Sequence, residues 1–283
     1  VAAALGLAAA RKGKKALVCE IDTDPAMRRL FATGELGLEP RPVAPGLWAC
    51  NLAGQDCMRA FIRRTVPSDR VTNLLLSNKI VGVFFDSAPS VLEAVILDQI
   101  AIRVSEGFDT VIVDLPASGH AVTFLRVARS MAEMVSVGDL AQHLRSIDAL
   151  LSHPHQSGLV LVTLPEEMPT NETLELSRNI EGRVTTPVCA VVVNAVRSSG
   201  ITASDAEWTA ELAADAPPEH QAALARVARG TALGRYWNDE EAEHVATLRR
   251  SLRVPLVETP FVFAKQREFD LVDTVSKRLW DSL

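Results

Sequence analysis

Short apolar runs that end in turn residues recur along the chain. The clearest is Val111 to Val113, which ends in Asp114 and is followed by a turn containing proline and glycine. Comparable, mostly apolar segments cover residues 16–21, 47–52, 158–164, 187–193 and 254–258. Apolar segments of this length are typical of parallel strands that are buried on both faces, so the pattern predicts several such strands.

Segments with helical periodicity separate these runs. They include residues 1–11, 91–106 and 267–279, and an Ala-, Glu- and Arg-rich stretch over 198–253 that Pro217 and Pro218 interrupt. Strands that alternate with helices predict an α/β fold, a doubly wound, mainly parallel sheet with helices on both faces. We expect residues 53–107 to form a helical subdomain and residues 198–253 to form a helical elaboration of the fold.

Asp114 is the first candidate functional residue because it directly follows a predicted buried strand. In open α/β sheets ligands bind just beyond the carboxyl ends of the strands. A carboxylate at that position can hold a hydrated Mg²⁺, and a neighbouring glycine-containing loop can respond to a phosphate. An aspartate that only caps the next helix would give the same local sequence. The segment alone leaves both interpretations open.

Composition narrows the class of protein. The 283 residues are 48% hydrophobic and carry a net charge of −6. This charge balance gives no electrostatic field that would attract nucleic acid or an anionic membrane. The four cysteines show no metal-binding spacing and are typical of reduced thiols in a cytosolic protein. No uncharged apolar stretch is long enough to cross a bilayer. We therefore expect a cytoplasmic protein without nucleic-acid partners or stable membrane insertion.

Three motifs occur in order along the chain: D-T-D-P-A at 22–26, V-I-V-D-L-P-A-S-G-H at 111–120 and L-V-T-L-P-E-E-M-P-T-N-E-T at 161–173. Together they resemble the ArsA/Get family of P-loop ATPases, which includes the arsenite-pump ATPase and the factor that targets tail-anchored membrane proteins. The resemblance implies a P-loop NTPase-like fold, ATP/ADP and Mg²⁺ as cofactors, and ATP hydrolysis that drives a switch-loop change in a dimer. No firm chemical role is assigned to the third motif.

The family's phosphate-binding loop, G-x-x-x-x-G-K-[ST], is expected immediately before a helix that resembles residues 1–11. A helix start without such a segment would leave backbone donors unsatisfied. We therefore expect one P-loop-type ATPase domain over residues 1–283, with its phosphate-binding loop upstream of Val1. A chain that lacks this loop would instead favour a nucleotide-binding or non-hydrolysing scaffold subunit of a heterodimer.

The resemblance also implies roles for residues near the phosphates. Asp24 would orient the attacking water. Asp22 is a lesser candidate, for a role beside the metal ion. Asp114 would contact Mg²⁺ through water, while Gly119 and His120 would respond to the γ-phosphate. For Asp24 a simple turn before the next proline is the alternative, and for His120 a capping or packing role is the alternative.

Two further segments would hold the nucleobase. Asn194 follows the strand predicted at 187–193, and the resemblance implies that its amide reads the adenine, since an amide offers both a donor and an acceptor. Pro260 and Phe261 would lie in the adenine-packing loop. An asparagine that merely closes a strand turn is the alternative for Asn194.

The partner is less defined by the sequence. A homodimer or a heterodimer with a related ATPase subunit is expected. The conformational switch would control the binding or release of a protein client or a membrane-protein partner. An apolar patch over residues 74–85 could bind such a client, although core packing explains it more simply. The separated cysteines argue against arsenite binding, except that Cys50 and Cys57 could approach one another. The absence of a C-x-x-C zinc clasp weighs against tail-anchored-protein targeting, and no clear basic or amphipathic tail supports a cell-division or partitioning ATPase.

Overall fold

The computed structural model of the chain describes residues 1–21, 26–77, 89–116, 118–135, 137–197, 200–262 and 268–280. These residues form two compact units. Unit 1 comprises the described residues of Val1–Leu159, Asn179–Pro187 and Lys265–Leu283, and unit 2 comprises those of Val160–Arg178 and Val188–Ala264. Each unit is described by itself.

The strands, in chain order, are β1 Ala16–Glu20, β2 Arg41–Ala44, β3 Leu47–Asn51, β4 Thr110–Asp114, β5 Leu159–Thr163, β6 Val188–Val196 and β7 Leu256–Pro260. The helices are α1 Ala2–Arg11, α2 Ala26–Leu30, α3 Gly54–Thr65, α4 Asp69–Ser77, α5 Pro89–Ser105, α6 Ser118–Val135, α7 Asp139–Ser152, α8 Glu167–Ile180, α9 Ala203–Ala214, α10 Pro218–Ser251 and α11 Glu268–Trp280. The described strands form parallel sheets flanked by helices, so the predicted α/β class is confirmed.

The sheet of unit 1 is centred on β1. Its strand order is β2-β3-β1-β4, with β1 parallel to both β3 and β4 and with β2 antiparallel to β3. All five residues of β1 are buried, as expected for the apolar sequence A-L-V-C that precedes Glu20. Because the three parallel strands are in register, their carboxyl ends lie side by side.

Helix α1 lies directly against this sheet because Gly6 has no side chain. A Cβ built at Gly6 would lie 2.5 Å from Cγ2 of Val18 on β1 and 2.9 Å from Cδ1 of Leu47 on β3. The helix ends at Arg11, and two residues later Gly13 takes the left-handed conformation with φ +74°, which glycine adopts readily after a helix.

A buried carboxylate joins three further helices of unit 1. Asp98 on α5 is only 2% exposed and accepts two hydrogen bonds from Nη2 of Arg64 on α3, at 2.6 and 2.7 Å. Its Oδ1 also lies 2.7 Å from Nε2 of His143 on α7. The segment predicted as a helical subdomain, residues 53–107, therefore contributes α3 and α5 to the same polar cluster as α7.

Unit 2 contains the sheet β5-β6-β7, in which β6 and β7 are parallel. Helix α8 starts at Glu167, so Pro169 lies in its first turn, where proline is tolerated. The pair α9 and α10 is separated around Pro217, as the sequence predicted.

Candidate functional site

The carboxyl ends of β3, β1 and β4 form one edge of the unit 1 sheet. Glu20 pairs in register with Asn51 on one side and with Asp114 on the other. Glu20 is 3% exposed, and its two carboxylate oxygens accept hydrogen bonds from the backbone nitrogen of Met27 at 3.1 and 3.2 Å. This buried carboxylate therefore ties the end of β1 to the start of α2.

Asp114 lies at the same edge and is exposed to solvent. Its carboxylate lies within electrostatic range of the backbone nitrogen of Val1, immediately before α1. Asp114 and the N-terminal end of α1 are thus neighbours beyond the strand ends. The backbone N–H groups and the positive end of a helix favour anions, whereas an exposed carboxylate favours a hydrated cation. This pairing suits a phosphate that arrives with a divalent metal ion.

Two of the predicted residues, Asp22 and Asp24, lie outside the described residues. Their chain neighbours on either side are Ile21, after β1, and Ala26, the first residue of α2. The metal-side role given to Asp22 and the water-orienting role given to Asp24 stay predictions.

Gly119 and His120 form part of the first turn of α6 and are exposed. A Cβ at Gly119 would meet nothing within 4 Å, so packing does not require a glycine there. Burial raises the pKa of Glu93 on α5, and the nearby His120 partly opposes this rise. Oε2 of Glu93 is buried without a hydrogen-bond partner among the described residues. Sequence reasoning missed this acidic neighbour of His120, for which the only signal was a lone glutamate in an apolar helix.

In unit 2, a β-bulge distorts the carboxyl end of β6. Val193 pairs with Glu258, and the next pairing joins Val196 to Pro260, so two residues of β6 stand opposite one residue of β7. One of the two, Ala195, has φ +60°, a left-handed conformation that is unusual for a residue other than glycine. Bulges of this kind redirect side chains and are frequent beside functional sites.

The bulge positions the amide of Asn194. Its Oδ1 accepts a hydrogen bond of 2.8 Å from Oγ1 of Thr259, which is fully buried. The backbone nitrogen of Phe261 donates to the carbonyl oxygen of Val196 at 2.9 Å, and its side chain is 41% exposed. The structure therefore brings Asn194, Pro260 and Phe261 to one end of the sheet, as the sequence indicated. Their role in adenine binding stays a prediction.

Three residues that the sequence did not single out complete this group. Glu241 on α10 is 4% exposed and accepts hydrogen bonds of 2.7 Å from both the backbone nitrogen and Nη1 of Arg197. The guanidinium carbon of Arg197 lies 5.4 Å from the ring centre of Trp237 on α10 and 5.5 Å from that of Phe261. We call Asn194, Arg197, Trp237, Glu241 and Phe261 the β6-end cluster.

Three cysteines come together in unit 1 although they are far apart in sequence. Cys19 and Cys50 are register partners on β1 and β3, with their Sγ atoms 3.4 Å apart, and both are fully buried with Cys57. A hydrogen bond with Cys50, with burial, holds the pKa of Cys19 well above its usual range, and burial raises that of Cys57 to about 12. The sequence suggested only the approach of Cys50 to Cys57.

Neither a metal cluster nor a membrane helix occurs in the part of the chain that the structure describes. Within it, no three side chains of the His, Cys, Asp or Glu type are arranged to hold a metal ion. None of the described helices is both long and apolar enough to span a bilayer.

Comparison with known proteins gives a consistent result. The chain is 26% identical over 209 residues to the ATPase BagA of Mycobacterium tuberculosis, a match that covers 69% of this chain and 60% of the relative. A protein of Mycobacterium bovis whose name also contains the word ATPase matches to the same extent. The chain thus spans about 60% of the length of these curated relatives.

The first part of the chain carries the clearest match. Residues 1–137 fit the sequence profile described as anion-transporting ATPase, or ArsA ATPase. This range contains the sheet edge with Asp114 and the first turn of α6 with His120. The family resemblance of the motifs is thereby confirmed. Residues 1–137, just under half of the chain, are thus similar to the family of anion-transporting, or ArsA, ATPases.

Proposed function

We propose that this protein hydrolyses ATP in a Mg²⁺-dependent reaction and uses the hydrolysis to change the conformation of two switch segments, residues 22–26 and 111–120. The observation that carries the proposal is the position of Asp114 beside the start of α1, at the carboxyl ends of three adjacent strands. The similarity of residues 1–137 to ArsA ATPases supports ATPase activity in general, and this edge supports the proposed location of the phosphate chemistry.

The residues at the edge fit a magnesium ion and a phosphate. Mg²⁺ is a hard cation that prefers oxygen ligands and keeps several of its waters, and the exposed carboxylate of Asp114 can accept hydrogen bonds from such waters. When bound, the ion would neutralise charge on the phosphates. The start of α1 would donate backbone N–H groups to a phosphate oxygen.

The other residues of the switch segments would position the reaction. Asp24 would hold the attacking water in line, because phosphoryl transfer depends mainly on positioning and on electrostatic stabilisation. Asp22 would help to hold the magnesium ion. Gly119 and His120 would move with the presence of the γ-phosphate, and the nearby Glu93 would respond to a displacement of His120.

The output of the cycle would be the binding or release of a partner by a cytoplasmic dimer, formed either by two copies of this chain or with a related subunit. Switch segments that are ordered by phosphate contacts and released by hydrolysis are a general way to couple a nucleotide to such an output. A protein client or a membrane protein is the proposed object.

The test is the Mg²⁺ dependence of nucleotide binding in the Asp114→Asn variant, purified with every residue that its gene encodes. We expect the affinity for Mg²⁺-ATP or the turnover to fall about 10- to 100-fold, the usual cost of losing a group that orients a metal's ligands. Affinity for ATP measured with excess chelator should change little, because the lost contact is to the metal ion.

Asp139→Asn is the matched control, since Asp139 is an exposed aspartate in the first turn of α7 in the same unit. This control should bind Mg²⁺-ATP like the wild type. Equal Mg²⁺-ATP affinity and turnover in the Asp114 and Asp139 variants would remove the proposed role of Asp114.

A further inference from the structure

The β6-end cluster contains hydrogen-bonded charged side chains and aromatic rings that the end of a strand does not need for its stability. A buried glutamate fixes an arginine through two hydrogen bonds, and the arginine in turn lies near two partly exposed aromatic rings. Arg197 itself is 42% exposed, so its contacts with Glu241 join a buried charge to a solvent-facing one. Burying the carboxylate of Glu241 is costly unless it is paired and hydrogen-bonded, and Arg197 meets both conditions.

We propose that Trp237 is a nucleobase-stacking residue, and that Arg197, fixed by Glu241, positions its ring beside Phe261 for a purine whose edge Asn194 reads. This inference rests on the proposed function, since it concerns the base of a purine nucleotide. It adds to that function a recognition surface supplied by α10, a helix outside the region that matches the family profile.

The exposure of the rings supports stacking. Trp237 is 45% exposed and Phe261 is 41% exposed, so each keeps part of its surface accessible although it already contacts Arg197. Both ring centres lie within 5.5 Å of the same guanidinium carbon, so a purine ring could contact either ring without a large movement of the backbone. Aromatic faces and arginine planes are the surfaces on which proteins commonly stack bases.

The bulge gives the cluster a fixed geometry. Ala195 is held at φ +60°, between Asn194 and Val196, whose carbonyl oxygen accepts from Phe261. A non-glycine residue in this conformation costs free energy, and it persists only where the surroundings impose it. Here the hydrogen bond from Thr259 to Asn194 and the contacts of Glu241 with Arg197 lie on either side of Ala195. Asn194 and Arg197 are therefore held in a constant relation to the aromatic rings.

The test compares two ligands in four proteins: the wild type, Trp237→Ala, Trp237→Phe and the control Trp208→Ala. Trp208 is 60% exposed on the neighbouring helix α9 and does not belong to the β6-end cluster. Binding of ADP and of inorganic tripolyphosphate is measured by calorimetry, because only ADP carries a base.

We expect Trp237→Ala to weaken ADP binding about 5- to 100-fold, the range found when a base-stacking aromatic is truncated. Tripolyphosphate binding should stay at the wild-type level, which a general loss of structure would not allow. Trp237→Phe should recover most of the ADP affinity, since a phenyl ring still stacks, and Trp208→Ala should bind both ligands normally. Glu241→Gln should weaken ADP binding in the same direction by a smaller factor.

Equal ADP affinity in Trp237→Ala and Trp208→Ala would overturn the stacking role and leave the proposed ATPase function standing. Equal losses for ADP and tripolyphosphate in Trp237→Ala would also overturn it, since the residue would then act on the fold. A wild-type protein that binds neither ligand would overturn the proposed function, and the stacking role with it.

Discussion

Gly6 is the residue whose replacement tests most sharply how α1 is held at the sheet. In Gly6→Ala the added methyl would lie 2.5 Å from Cγ2 of Val18 and 2.9 Å from Cδ1 of Leu47, whereas ordinary contacts lie between 3.4 and 4 Å. Both neighbours are fully buried on β1 and β3 and cannot move outward. The helix must therefore shift away from the strands, and its start moves relative to Asp114.

The expected magnitude combines two opposing effects. Alanine stabilises a helix interior by about 1 kcal/mol relative to glycine. Forcing extra volume into a packed core costs about 1–3 kcal/mol, and two contacts this short place Gly6→Ala in the upper part of that range. The net result is a destabilisation of unit 1 by about 1–2 kcal/mol, against the direction that helix propensity alone gives.

Hydrogen exchange of the β1 amides is the assay, because it reports the opening free energy of this unit by itself. A loss of about 1–2 kcal/mol makes these amides exchange about 5- to 30-fold faster. Gly54→Ala is the control: it adds the same methyl in the same unit, where the closest atom, Cβ of Leu92, would lie at an ordinary 3.6 Å. If the two variants exchange at the same rate, the close packing of α1 at Gly6 is refuted.

Two further predictions concern titration and thiol chemistry. Hydrogen bonds from Lys277 and Arg11 hold the pKa of Asp273 below its ordinary value of 3.8, so Asp273→Asn should cost about 0.5–1 kcal/mol in urea unfolding above pH 5. This difference should shrink as the pH falls below 3.8, because the wild-type carboxylate then becomes protonated; a difference that is constant down to pH 2 would contradict the pairing. Cys189 is the exposed cysteine, whereas the other three are buried, so Ellman's reagent should titrate one thiol per native chain and four after unfolding. Because burial raises the pKa of Cys189, this thiol should react more slowly than free cysteine at pH 8, and fast reaction of a second native thiol would contradict the burial of the other three.

Local sequence patterns predicted six of the seven described strands but not β2, and β6 continues three residues beyond its predicted end at residue 193. Asp114 follows an apolar run, and Asn194 lies near the end of another, so simple periodicity placed both at carboxyl ends of strands. These signals are local, and a sequence carries them directly.

Contacts between distant segments were not predictable in the same way. Glu241 and Arg197 are 44 residues apart, and α10 has the polar, charged composition of a solvent-exposed helix. Nothing in that pattern indicates which of its many glutamates is buried. The pairing of Cys19 with Cys50 likewise depends on the register between β1 and β3, which parallel strands set through the packing of the whole sheet. Such contacts follow from tertiary packing, so they become visible only in the structure.

The proposed function requires that the protein turn over Mg²⁺-ATP. The most direct measurement is phosphate release by the wild-type protein, purified with every residue that its gene encodes, beside Asp24→Asn. We predict release that continues over many turnovers, stops when the Mg²⁺ is chelated, and is abolished in Asp24→Asn while that variant still binds ATP. ATP binding without phosphate release above the level of Asp24→Asn would contradict hydrolysis and would identify the protein as a nucleotide-binding scaffold.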